Sequence, residues 1–195
     1  HLNFHFDFEA LDAALSLRTK GIILNTPHNP TGKVFTRAEL SHLATWCQEH
    51  ELLVYTDETY EYIVYAGAEH VSPAVLPGMA ERCTQISSIS KTYAATGWRV
   101  AWAIAPPQIT EGIRKIHDFL TIAAPHPMQK AAAVALTLPH TYYAELLALY
   151  TQRREVICSG LEAAGFQICR PEGAYYVLMD IAELLEPKET PYEFS

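Results

Sequence analysis

Apolar residues in this chain fall into short runs closed by turn residues, and these alternate with longer stretches in which apolar positions recur every three or four residues. Gly21-Ile22-Ile23-Leu24-Asn25 is a β-branched run that breaks at Pro27-His28-Asn29-Pro30, and Leu52-Leu53-Val54-Tyr55-Thr56 breaks at Asp57 in the same way. Cys83-Thr84-Gln85-Ile86-Ser87-Ser88 is a more polar third run that ends just before Lys91. All three read as strands. Asp7 to Leu17 reads as a short helix ahead of the first strand. Thr36-Arg37-Ala38-Glu39 is a capping box followed by Leu40, Leu43, Ala44 and Cys47 on one helical face, which predicts a helix packed on the sheet.

The second half keeps the alternation but lengthens the helices. Arg99 to Ala105 reads as a strand stopped by Pro106-Pro107, with Pro107 opening a helix whose buried stripe is Ile109, Ile113, Ile116 and Leu120. Pro125 and Pro127 break that helix before an alanine-rich one from Met128 to Leu138. Tyr142 to Ala164 reads as one long helix ended by Gly165, with Leu146, Leu147, Tyr150, Ile157 and Leu161 as its apolar positions. Phe166 to Arg170 and Ala174 to Asp180 follow as strands. The pattern is that of an α/β fold with a helical connector. Composition changes character near Pro139, which divides the chain into a first unit over 1–140 and a second, over 141–195, made of a connecting helix and the beginning of a small α/β domain.

Composition narrows the function classes. With 195 residues, 49% of them hydrophobic, the chain can bury a sizeable core. A formal charge of −8 argues against a general nucleic-acid or anionic-membrane surface. The cysteines Cys47, Cys83, Cys158 and Cys169 form no C-x-x-C pair, which suits a reducing cytoplasm. The chain has no bilayer-length apolar stretch, and His1-Leu2-Asn3-Phe4 has no signal-peptide pattern. Nine histidines show no metal-ligand spacing, so no metal is expected.

Candidate chemistry gathers behind the first three strands. Asn29-Pro30-Thr31-Gly32 alone is an ordinary turn, Asp57 alone is a polar residue closing a strand, and Lys91 and Arg99 alone are two cations among 14. Together they share one address, because ligand chemistry in an α/β sheet collects outside the carboxyl ends of the strands. Lys91, flanked by hydroxyls in Ser88-Ile89-Ser90-Lys91-Thr92-Tyr93 and followed eight residues later by Arg99, suits an amine that bonds a carbonyl beside an anchored phosphate. That is the chemistry of pyridoxal 5′-phosphate. Its pyridine nitrogen calls for a fixed carboxylate such as Asp57. Its anionic 3-oxygen calls for neutral donors such as Asn29 and Tyr60, and its phosphate for Ser88, Ser90 and the planar fork of Arg99. Lys91 would hold the cofactor as a Schiff base and, once freed by substrate, move the Cα proton.

Three ordered motifs carry a family resemblance. Asn25-Thr26-Pro27-His28-Asn29-Pro30-Thr31-Gly32-Lys33-Val34-Phe35, Asp57-Glu58-Thr59-Tyr60-Glu61 and Ser88-Ile89-Ser90-Lys91-Thr92-Tyr93 with Gly97-Trp98-Arg99 resemble class I/II aminotransferases of fold type I, most of all their kynurenine, methionine and aromatic branch. The likeness runs from Phe6 to Asp180. It implies an internal aldimine on Lys91, Asp57 paired with the pyridine nitrogen, Asn29 and Tyr60 on the 3-oxygen, and Ser88 and Arg99 on the phosphate. It further implies a large domain with a mixed, mostly parallel sheet followed by the start of a small α/β domain, and a full-length homodimer that moves an amino group from an aromatic or large apolar amino acid to a 2-oxo acid. Thr59, where such enzymes usually carry Val or Ile, and Ala101, where Gly is common, depart from the pattern.

Other readings share the same residues. A C–S β-lyase uses the same cofactor, and some transcription factors use this fold as a cofactor-sensing domain. His126 falls where relatives place a loop near the partner subunit's pocket. Tyr175-Tyr176 is expected to pack a small-domain strand rather than touch cofactor. The family's phosphate-binding turn and stacking ring upstream of Asn29, and its carboxylate-binding arginine near the carboxyl end, have no match here. The chain therefore reads as the central part of a protein about twice its length.

Overall fold

The computed structural model describes residues 4–182. The first residues of the signal-peptide reading and the far end of the second unit, 183–195, lie outside them. The sheet forms where the apolar runs predict it. Strands β1 (Gly21–Asn25), β2 (Leu53–Asp57) and β3 (Cys83–Ser88) are parallel neighbours, and β4 (Ala101–Ile104) adds antiparallel to β3, in the order β1-β2-β3-β4. The register sets Asn25 beside Asp57 and Asp57 beside Ile86, so the three parallel strands end together.

Helix α1 (Phe8–Ala14) is shorter than the span from Asp7 to Leu17: Asp7 stands outside it as the N-cap, accepting from Ala10 N–H at 2.9 Å, and Leu15 ends it in an extended conformation with ψ of 143°. Helix α2 (Arg37–Glu49) begins with the expected capping box: Glu39 N–H donates to Thr36 Oγ1, and Thr36 N–H donates to Glu39 Oε2 at 2.7 Å. Its apolar face, Leu40, Leu43, Ala44, Trp46 and Cys47, is buried against Leu24, Leu52, Val54, Val71, Leu76, Met79 and Cys83. Each buried Leu, Val or Met here contributes about 1.5 to 3 kcal/mol by leaving water, and this is the largest cluster of buried residues among those described.

Beyond β4 the expected burial does not hold. Helix α4 (Pro107–Leu120) forms with Pro107 in its first turn, yet it has no buried residue. Ile109 and Ile113 are only half-buried, while Ile116 and Leu120 are exposed and Phe119 is 92% exposed. The stripe is present, but no described residue covers it. Helix α5 (His126–Ala135) starts earlier than expected, because Pro127 sits in its first turn, where a missing N–H costs no hydrogen bond.

Helix α6 (His140–Ala163) ends just before Gly165, whose φ of +91° lies in the left-handed region that favours glycine. Of its expected apolar positions, Leu146, Leu147 and Tyr150 pack against Tyr60, Ile63, Tyr65 and Ala174, whereas Ile157 is exposed. Strands β5 (Gln167–Cys169) and β6 (Leu178–Asp180) pair antiparallel as a separate sheet. The segment from 174 to 177, expected as strand, instead folds back on the loops that follow β1 and β2. Ala174 N–H donates to Ile63 O at 2.9 Å, and Glu172 and Gly173 N–H both donate to Gly32 O at 2.8 and 2.9 Å.

Candidate active site

The three motifs meet at the carboxyl edge of the parallel strands. Lys91 lies in α3 (Ile89–Thr92), one helical turn that continues β3 directly and that the sequence pattern does not announce. Ser88 ends the strand and caps this turn, its Oγ accepting from Ser90 N–H at 3.2 Å. Lys91 Nζ lies 5.9 Å from the ring centre of Tyr60 and 5.9 Å from that of Tyr175. A cation over two ring faces is held by their quadrupoles, and no described carboxylate forms an ion pair with it.

Asp57 closes β2, and its Oδ1 accepts from Thr59 N–H at 3.2 Å and from Thr59 Oγ1 at 2.5 Å. The threonine that departs from the family pattern thus steadies the carboxylate. Asn29 is exposed, and its main-chain N–H donates to Asn25 Oδ1 at 2.6 Å, while Asn25 Nδ2 donates to Asp57 O at 2.9 Å. Asn25 therefore ties the Asn29 turn to the end of β2. The sequence motif contains Asn25, but only the β1–β2 register gives it this task.

Ser88, Ser90 and Arg99 come together less fully. The β3–β4 ladder runs to Ser88 beside Ala101 and continues through Ile89 N–H donating to Val100 O at 3.3 Å, which sets the Ser88–Ser90 segment against Arg99–Ala101. Ser90 is buried, and its carbonyl accepts from Thr96 Oγ1 at 2.9 Å. Arg99 is exposed, takes a left-handed φ of +56°, and donates from its guanidinium to Thr96 O at 3.1 Å rather than to either serine.

Two groups of site residues emerge only in three dimensions. Tyr175 and Tyr176 do not pack a strand. Tyr175 faces Lys91, and the phenol oxygens of Tyr176 and Tyr60 lie 2.6 Å apart in a hydrogen bond. The folded-back 174–177 segment delivers them, and no local pattern signals that return. Burial first, then the bond to Tyr176 and the neighbouring Tyr175, push the Tyr60 phenol far above the usual tyrosine range, so it stays neutral.

The second group is a buried network behind Asp57. Glu58 Oε1 accepts from Thr56 Oγ1 at 2.6 Å and from Ser72 Oγ at 2.7 Å. Its Oε2 accepts from His70 Nε2 and Gln85 Nε2, each at 2.9 Å. Four donors satisfy a carboxylate with no exposed surface, as burial requires. Nearby, Glu61 accepts from Ser87 Oγ at 2.6 Å, and burial raises its carboxyl above the usual range, with the Glu58 charge adding to the rise and the Ser87 bond opposing it.

The described residues include no group of three His, Cys, Asp or Glu side chains placed to hold a metal ion. Among them no helix is long and apolar enough to cross a membrane.

Comparison with known proteins places this geometry in a family. Residues 1–190 match aminotransferase class I and II, and the chain belongs to that family. It is 39% identical over 180 residues to kynurenine–oxoglutarate transaminase of Dictyostelium discoideum, covering 90% of this chain and 41% of the relative. It is 37% identical to methionine aminotransferase of Escherichia coli, covering 91% and 46%. Among solved structures, N-succinyldiaminopimelate aminotransferase from Mycobacterium tuberculosis superposes with a TM-score of 0.89 at 36% identity, over 93% of this chain and 47% of that one. An aromatic aminotransferase from Pyrococcus horikoshii OT3 gives 0.85 at 35% identity, over 90% and 48%. The fold is that of the fold type I aminotransferases. This chain spans less than half the length of these relatives.

Proposed function

We propose that the parent protein is a pyridoxal 5′-phosphate-dependent aminotransferase and that Lys91 is its cofactor-bearing residue. The observation that carries this reading is the Lys91 amine, held beside the Tyr60 and Tyr175 rings at the carboxyl edge of the sheet with no acid partner among the described residues. The surrounding donor set fits the cofactor. Asp57, steadied by Thr59, is the carboxylate for the ring nitrogen; Tyr60 and Asn29 are the neutral donors for the ring oxygen. The Ser88 oxygen caps α3 while its hydroxyl proton has no acceptor among the described residues, and with Ser90 and Arg99 it forms the phosphate set. A non-glycine residue at positive φ is uncommon and clusters at ligand sites, which supports a ligand role for Arg99.

When bound, the cofactor supplies an electron sink for cleavage at the substrate Cα. The chain's own work is to hold that ring, keep the Tyr60 proton in place, and move a proton at Cα through the Lys91 amine. The relatives named for kynurenine, methionine and aromatic substrates support an aromatic or large apolar amino donor and a 2-oxo acid acceptor. A division into units 1–140 and 141–195 and a cytoplasmic homodimer complete the proposal.

Borohydride reduction of the full-length parent, followed by peptide mass mapping, is expected to place a pyridoxyl group on Lys91. A label on Lys115 or Lys130 instead overturns the assignment.

A further inference from the structure

The 2.6 Å bond between the Tyr60 and Tyr176 phenols raises a question of proton direction. Each phenol has one proton to donate and two lone pairs that accept. If Tyr60 donates to Tyr176, its only proton is taken, and it can offer a ligand nothing but lone pairs. If Tyr176 donates to Tyr60, the Tyr60 proton is left for a third group. An anionic oxygen beside Tyr60 selects the second arrangement, because lone pairs would face a negative charge in the first. The second also strengthens the outgoing bond, since a hydroxyl that accepts is polarised into a better donor.

We propose that Tyr176 is a positioning residue of this site: its hydroxyl donates to Tyr60 and so directs the Tyr60 proton to an anionic ligand oxygen. The inference rests on the reading of Tyr60 as a donor to the cofactor's ring oxygen. The geometry holds Tyr176 against Tyr60, and the direction of the bond is what a ligand oxygen would select. Its segment is fixed by the Ala174 bond to Ile63 and by the bridge between Val64 and Gly173. Its ring stands edge-on to Tyr60 at 5.7 Å and 83°. The Tyr60 ring is buried and neutral, so it has a proton to direct. The other titratable groups packed around the pair are Lys91 from α3, Tyr65 from the loop after β2, Tyr150 from α6 and Tyr175.

The test uses the full-length parent in four forms: unchanged, Tyr60→Phe, Tyr176→Phe and the double variant. The main readout is the pH midpoint of the bound cofactor's visible absorption. A donor to the ring oxygen favours the deprotonated, more anionic form, so weakening it moves the midpoint up. Tyr176→Phe is expected to raise it by roughly 0.3 of a pH unit or more, and Tyr60→Phe by about one unit. Because Tyr176 acts through Tyr60, the double variant should match Tyr60→Phe alone.

A second readout needs no cofactor: a downfield hydroxyl proton resonance from the phenol pair, present in the unchanged protein and absent from both single variants. Loaded protein whose midpoint is unmoved by Tyr176→Phe, or moved equally with and without Tyr60, overturns the inference while leaving the aminotransferase reading intact. Failure of the parent to take cofactor on Lys91 overturns both.

Discussion

Helices α2 and α4 carry apolar stripes of the same spacing, yet α2 buries five side chains, from Leu40 to Cys47, and α4 buries none. The difference lies in what the chain places opposite each helix. Helix α2 faces β1 and β2 and meets Leu24, Leu52 and Val54, while α4 lies beyond β4, whose outer edge has no partner strand among the described residues. An amphipathic stripe records which face a helix must cover, and says nothing about whether the cover belongs to the same stretch of chain. The candidate site draws on both kinds of region: Asn25 and Asp57 end strands packed into the α2 core, whereas Arg99 is exposed just ahead of β4.

The largest effect that tests this contrast is on stability. In the 195-residue chain, Leu43→Ala is expected to cost about 2 to 5 kcal/mol by removing buried methyl groups from a packed site. Ile116→Ala should stay within about 0.5 kcal/mol, as exposed substitutions do. Urea unfolding monitored by circular dichroism measures both, and an equally large loss at Ile116 would show that α4 is covered in solution.

A smaller effect sharpens the same comparison at the helix starts. Thr36→Ala removes the α2 cap and should cost about 1 kcal/mol, whereas α4 follows Pro106 with no side-chain cap to lose. Thermal melts of Thr36→Ala and Thr36→Ser separate the hydroxyl from the shape of the residue, with Ser expected to restore most of the loss.

The smallest effect is a pH dependence confined to the α2 side. Burial opposes ionisation of Glu39, but bonds from the Thr36 backbone and from the His5, Thr36 and Lys33 side chains outweigh it and hold the carboxyl down at about 2. A folded pKa below the unfolded value means that the stabilisation is complete above the ordinary carboxylate range and is lost as pH falls from about 4.5 toward about 2. Glu39→Gln should therefore flatten the acid limb of stability in that window, as read from melts at successive pH values.

Much of the fold is legible in local sequence where local physics decides it. The β1 run, the Thr36–Glu39 box and the Gly165 stop each contain their own explanation within a few residues. The turn that carries Lys91 is harder to see, because four residues are too few to show a helical period and its cap, Ser88, is also a strand residue. Asp57, Tyr60 and Lys91 are legible as a set through their shared place behind strands. Tyr175 and Tyr176 are not, since their position depends on backbone bonds from residues 172–174 to Gly32 and Ile63. Arg99 is legible as a cation near the site but not as one bonded to Thr96, a contact made across the turn in which Arg99 takes a positive φ.

The clasp between Gly32 and residues 172–173 also sets an order of events during synthesis. Gly173 is so closely packed that an added methyl carbon would stand 2.7 Å from Pro27 Cβ, so the fit leaves no slack for a substitute. The strands and α2 can assemble as soon as they are made, since their partners are near in the chain. The Asn29 turn has its own local bonds, but the Tyr60 phenol must wait for its partner until Tyr176 has been added, on the order of ten seconds later at ordinary rates of translation. During that interval β1 to β4 can pair while the pocket still lacks its two rings, so a chain cut short before residue 175 would carry Lys91 without Tyr175 and Tyr176 beside it.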